Sequence, residues 1–146
     1  MALAANAKLE LLRGIPLFEH CTKKDLQHIA GLADEIDLRA GKVLIQEGER
    51  GREFFVIVGG EVEVRRNGRR VATLGPGDFV GEMALLSKIP RVATVTAVTP
   101  LDVLVITDRA FLDLLEKTPS LTVKVAQTLA ARVGANELSD LRHGRG

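Results

Sequence analysis

The chain has 146 residues, 46% apolar and 27% charged, which suffices for one domain with a real core. Its 20 basic and 19 acidic residues leave a net charge of +1, which excludes the strong basic balance of a nucleic-acid or anionic-membrane binder. A single cysteine, Cys21, rules out an internal disulfide, and no apolar run reaches the length of a membrane span.

The first part of the chain, about residues 1–35, reads as helical. "MALAANAKLELLRG" spaces Lys8, Glu10 and Arg13 through its apolar residues, so it is no signal peptide, and a cytoplasmic setting is expected. "LELLRGIPLF" is a short helix stopped by Gly14 and Pro16. Thr22 and Asp25 form a capping-box-like start to a second helix, where Leu26, Ile29, Ala30 and Ala33 recur at helical spacing. Cys21, beside that start, reads as a packed and inert thiol. His20, His28 and His143 lie off the predicted strands and at no ligand spacing, so no metal site is expected.

The middle part, about residues 36–107, changes period. "KVLIQ", "EFFVIV", "EVEVRR", "RVATL", "ATVTAV" and "DVLVIT" are short, β-branched and separated by turn signals. Asn67-Gly68 predicts a tight hairpin, because a type I′ turn needs positive φ at both central positions. The arginines from Arg65 to Arg70 around it solvate a hairpin tip and guard a sheet edge. Many short strands at close spacing imply a sandwich or barrel. With no Trp or Tyr and five Phe, its core must be mainly aliphatic.

The last part, about residues 108–142, returns to helix. Asp108 is positioned to cap "RAFLDLLEK", and Pro119 opens a second helix at its first position. Leu121, Val125, Leu129 and Val133 form a stripe, with Ala126 and Ala130 beside it, suited to a lid or to self-association. The fold class expected is α+β: one domain over residues 1–146, an antiparallel β-roll (jelly roll) flanked by N-terminal helices and C-terminal lid helices.

The chemistry concentrates in "GDFVGEMALLSKIPRVATV". Gly75, Gly77 and Gly81 remove side chains where backbone can approach a ligand closely. "EMALL" can form one helical turn whose amides favour an anion. Arg91, after Pro90, offers the two-pronged hydrogen bond that suits a phosphate. Glu82 suits a sugar hydroxyl. On these residues alone, a structural ion pair between Glu82 and Arg91 stands about level with a nucleotide site. No nucleophile-elbow or Walker motif occurs, so no catalytic residue is expected.

"GEMALLSKIPRVATV", Gly81 to Val95, resembles the phosphate-binding cassette of cyclic nucleotide-binding domains. "LFEHCTKKDLQHIA", "AGKVLIQEGERGREFFVIVGGEVEV" and "PLDVLVITDRAFLDLL" resemble the family's flanking segments, in the family's order. The resemblance implies a regulatory sensor without catalysis or cofactor, whose ligand is cAMP, with cGMP second. It implies that Glu82 accepts from the ribose 2′-hydroxyl and that Arg91 holds the cyclic phosphate. The amides of Ala84 and Val92 complete the cradle, Gly81 permits close approach, and Met83 and Ala93 adjoin them. Val80 stands where many members carry Phe, with Phe79 the candidate to compensate. Val92 lacks the hydroxyl that members tuned for cGMP often carry there, which leans toward cAMP. In this family the last helix folds over the base. Arg132 and Asn136, four apart on one helical face, are the candidate contacts. Partners implied are the nucleotide and an effector protein, or self-association through the C-terminal helix, with no DNA and no membrane. Two other readings are a catabolite-activator-type transcription regulator fragment, ending before any helix-turn-helix, and a ligand-free β-roll that docks a partner.

Overall fold

The computed structural model describes residues 3–86 and 90–143, and from residue 132 onward the backbone alone. Three helical pieces open the chain. Helix α1 spans Ala5–Arg13, a 3-10 turn spans Pro16–Phe18, and α2 spans Lys23–Leu32. The Thr22 hydroxyl accepts from the Asp25 amide at 3.1 Å, and the Asp25 carboxylate accepts from the Thr22 amide at 2.9 Å. These reciprocal bonds are the predicted capping box.

Among the described residues eight strands follow: β1 (Asp34–Leu38), β2 (Val43–Ile45), β3 (Glu53–Gly59), β4 (Val62–Arg66), β5 (Arg69–Leu74), β6 (Phe79–Val80), β7 (Thr94–Ala97) and β8 (Leu101–Thr107). They pair antiparallel into two four-stranded sheets, in the orders β1-β8-β3-β6 and β2-β7-β4-β5. This is the expected roll. The β4–β5 hairpin turns at Asn67 and Gly68, with φ of 53° and 79°. Both are left-handed, as a type I′ turn demands. Strand β5 is an edge, and Arg69 and Arg70 on it are exposed.

Two cores result from the alternation of side chains. One lies inside the roll, where Ile57, Val62, Val80 and Val103 are fully buried. The other lies between the first sheet and the helices, around Phe18, Phe54, Leu104 and Phe111. Adjacent strand residues point to opposite faces. Phe79 therefore joins the helical core while Val80 enters the roll. Phe79 cannot compensate for the apolar side chain at 80, because the two serve different compartments.

After β8, α3 spans Asp108–Lys117 and α4 spans Pro119–His143. Thr107, not Asp108, caps α3: its hydroxyl accepts from the Ala110 amide at 3.2 Å. Asp108 becomes the first helical residue, where a carboxylate still favours the helix dipole. Pro119 opens α4 as expected. Leu121 and Val125, however, are buried in the helical core with Phe18 and Phe111, while Ala126 and Ala130 lie outside it. The first turns of α4 thus pack against the N-terminal helical pieces, with Leu121 and Val125 turned inward. Val133 lies outside the described side chains.

A charge pair reinforces this docking. Lys124 of α4 donates to the buried Asp25 carboxylate at 2.6 Å. Burial alone would raise the Asp25 pKa, but hydrogen bonds from Lys124 and Thr22 outweigh it and hold the group below its ordinary value. A depressed carboxylate stabilises the fold above its unfolded pKa, and that contribution is lost as pH falls through the folded pKa. Lys124→Met should therefore cost about 1–3 kcal/mol at pH 7, because Asp25 is buried while Lys124 remains partly solvated. The difference from wild type should be smaller at an acid pH where Asp25 is protonated than at pH 7, because the pair contributes through the lowered Asp25 pKa. Urea unfolding of both proteins at the two pH values checks this; an undiminished gap in acid contradicts it. The same surroundings push the Cys21 thiol up to about 11, through burial first and the Asp25 charge second, so the thiol is inert near neutrality.

Candidate functional site

Gly81 takes a φ of 85°, which turns the chain from β6 into the 3-10 turn Glu82–Leu85. Within it the Ala84 amide donates to the Gly81 carbonyl at 3.0 Å. The turn buries Glu82, Ala84 and Leu85 and leaves Met83 44% exposed. Farther on, the chain runs into β7 under the grip of the β2–β3 loop. The Arg91 amide donates to the Glu49 carbonyl at 2.8 Å, and the Gly48 amide donates to the Arg91 carbonyl at 2.8 Å. The Thr94 hydroxyl accepts from the Glu47 amide at 3.0 Å. The loop therefore fixes the backbone on which Arg91 stands.

The Arg91 side chain is only 5% exposed. Its Nη2 donates to the Glu53 carbonyl at 2.6 Å. Two glycines flank the guanidinium. A Cβ placed on Gly81 would lie 2.7 Å from Nη1, and one placed on Gly51 would overlap Nε and Cζ outright. Burial pushes the Arg91 pKa down from its ordinary value, and the Glu53 carboxylate partly restores it. A guanidinium stays protonated through such a shift, so the site holds a fixed positive charge screened from water. A cavity of about 250 Å³ opens beside it, lined by Ile45, Gly51 and Arg52 among others, with Arg91 in its wall.

The structure brings Gly81 and Arg91 into contact and buries Glu82 on the turn between them. Ala93 is buried, and Val92 is 39% exposed. Gly75 and Gly77 do not line a close approach. Gly77 occupies a left-handed position in a turn closed by Asp78, whose carboxylate accepts from the Gly75 amide at 2.9 Å. A Cβ on Gly77 would meet nothing, so it answers to φ alone. Arg132 and Asn136 fall in α4, outside the described side chains. Sequence reasoning missed Gly51 and the Glu53 carbonyl. The turn signal "EGERG" marked the loop, but no local signal tied it to a side chain forty positions away.

Residues 35–118 match the family model described as the cyclic nucleotide-binding domain. The chain belongs to the cyclic nucleotide-binding domain family. It is 39% identical over 118 residues to the cAMP-dependent protein kinase regulatory subunit of Mycosarcoma maydis, covering 73% of this chain and 22% of the relative. Among solved structures, the N-terminal domain of a transcriptional regulator from Streptomyces coelicolor A3(2) superposes with a TM-score of 0.78 at 28% identity, covering 87% of this chain and 95% of that one. The regulatory domain of Toxoplasma gondii PKA, crystallised with cAMP, gives a TM-score of 0.69 at 33% identity, over 73% of this chain and 42% of that one. The chain spans about a third or less of the first curated relatives it matches, with shares of 32% and 22%. A cyclic nucleotide-binding domain is a regulatory fold and not a catalytic one. No helix among the described residues is long and apolar enough to cross a membrane.

Proposed function

We propose that residues 1–146 form one cytoplasmic sensor unit that binds cAMP, with cGMP the weaker ligand, and signals by rearranging its C-terminal helices. The observation that carries this reading is the buried Arg91 guanidinium, held by a main-chain carbonyl and two glycines beside a cavity. Burying a charge is costly, and a cyclic phosphate entering there would give the guanidinium the two-pronged partner it fits. The Ala84 amide, already bonded to Gly81, would share its proton between that carbonyl and the phosphate. The Val92 amide completes the cradle, Gly81 admits the ligand, and Met83 and Ala93 adjoin it. Glu82 accepts from the ribose 2′-hydroxyl. The lack of a hydroxyl at Val92 favours adenine over guanine. Arg132 or Asn136 on α4 meets the base.

The output is a shift between two arrangements of α3 and α4, limited by the ligand's difference in affinity for them. An effector protein, or a second copy engaged through the far part of α4, receives it. The charge of +1 gives no support to a DNA or membrane surface.

Glu82→Ala should weaken cAMP by about 1.5–3 kcal/mol, the worth of one hydrogen bond to a charged group. Wild-type protein should lose a similar amount with 2′-deoxy-cAMP, and the two losses should not add. Calorimetry of both proteins with both nucleotides checks this. Equal affinity of wild type for the two nucleotides removes Glu82 from the ribose.

One observation favours the ligand-free docking module: Arg91 already has a protein partner in the Glu53 carbonyl. A thermal-shift panel of cAMP, cGMP, cyclic dinucleotides and AMP separates the readings. A rise in Tm with cAMP above AMP supports the sensor, and a flat panel supports the module.

A further inference from the structure

Gly51 has a backbone that any residue could adopt, since its φ lies outside the left-handed range. Its identity is therefore a matter of space and not of conformation. The space is taken by one side chain: a Cβ on Gly51 would overlap Nε, Cζ and Nη2 of Arg91. Neither backbone can readily move away. Strand β3 begins two residues on, at Glu53, whose carbonyl is an Arg91 partner. The loop just before it is bonded to the Arg91 backbone through Gly48 and Glu49, and to Thr94 through Glu47. The movable part is the guanidinium itself, the far end of a flexible side chain.

We propose that Gly51 is a positioning residue for the ligand site: by lacking a side chain it seats the Arg91 guanidinium against the β2–β3 loop, where Nη2 meets the Glu53 carbonyl and the plane of the fork is set. This rests on the reading of Arg91 as phosphate anchor. Gly81 touches the same guanidinium, but its left-handed φ and the nearby Glu53 carbonyl would strain any substitution there. Gly51 separates the two effects, because its φ is not left-handed and the three atoms nearest to an added Cβ all belong to Arg91.

The test uses four proteins: wild type, Gly51→Ala, Arg91→Ala and the double variant. Gly51→Ala should weaken cAMP roughly ten- to a hundredfold, the loss of about one charged hydrogen bond. It should also move the Arg91 Nε–H resonance of the unliganded protein. In the Arg91→Ala background, Gly51→Ala should change neither Kd nor Tm, because the obstructed side chain is gone. Wild-type binding by Gly51→Ala, an unmoved Nε–H signal, or equal losses in both backgrounds overturns the proposal. If Gly51→Ala alone fails to fold, the double variant decides: folding like Arg91→Ala supports the steric account, and failing likewise overturns it. Should Arg91→Ala bind cAMP normally, the phosphate reading falls and the ligand-site role of Gly51 falls with it. The resonance then reports separately whether Gly51 seats the guanidinium.

Discussion

Arg91→Ala is expected to weaken cAMP binding by about 2–5 kcal/mol, roughly thirtyfold to several thousandfold. The size follows from burial. Arg91 as a whole is 5% exposed and its guanidinium is bonded to a main-chain carbonyl, so the charge is largely desolvated before any ligand arrives. A phosphate entering that space exchanges water for the guanidinium and nearby amides, and without Arg91 it loses its two-pronged charged partner while still losing its water. Lysine should rescue little of the loss, because an ammonium has neither the planar fork nor the reach to keep the Glu53 carbonyl. The folded state should survive, since the truncation removes a buried charge and its bond to the Glu53 carbonyl but leaves both cores filled. Calorimetric titration with cAMP at fixed salt reads the effect, with circular dichroism confirming the fold. Binding within about threefold of wild type would remove Arg91 from the phosphate.

Phe18→Ala should lower stability by about 3–5 kcal/mol, a large share of the 5–15 kcal/mol typical of a domain. Phe18 ends the 3-10 turn after α1 and is 1% exposed. Its ring meets Phe54 of β3 edge-on, with centroids 6.3 Å apart, and Phe111 of α3 at 5.9 Å. Phe54 in turn touches Phe79 of β6 at 6.0 Å. One side chain thus joins the N-terminal turn, the first sheet and the C-terminal helices. Alanine would leave a void bordered by three separate elements, none able to collapse without disturbing the others. Urea unfolding should show a lower midpoint with an unchanged slope. A loss under about 1 kcal/mol would mean that the layers re-pack around the gap.

The capping box at Thr22, the hairpin at Asn67-Gly68 and the helix start at Pro119 are legible in the sequence, because each depends on neighbours within a few residues. Six of the strands carry a clear β-branched pattern. Strand β1 does not, because "DEIDL" is mostly acidic; it forms by pairing Asp34 through Leu38 with β8. Strand β6 does not, because two residues have no period, and its pairing with β3 defines it. At the α3 start, Thr107 and Asp108 are adjacent and both suited to capping, and the run of β8 into the helix places the hydroxyl first. The stripe on α4 is apolar, as its spacing indicates. Its destination in the helical core is invisible in the sequence, since amphipathicity gives a buried face without naming what covers it.

The amino-acid order by itself determined the alternation of helix, roll and helix, and it marked Glu82 and Arg91 as the charges to explain. Tertiary structure alone decided what holds Arg91. Gly51 and Glu53 reach it from around the start of β3 and Gly81 from the end of β6, and the β2–β3 loop fixes its backbone. Local propensity and spacing act over a turn or a strand and are written in the order of residues. The seat of a buried guanidinium depends on which distant backbones leave room for it, and only the folded packing settles that.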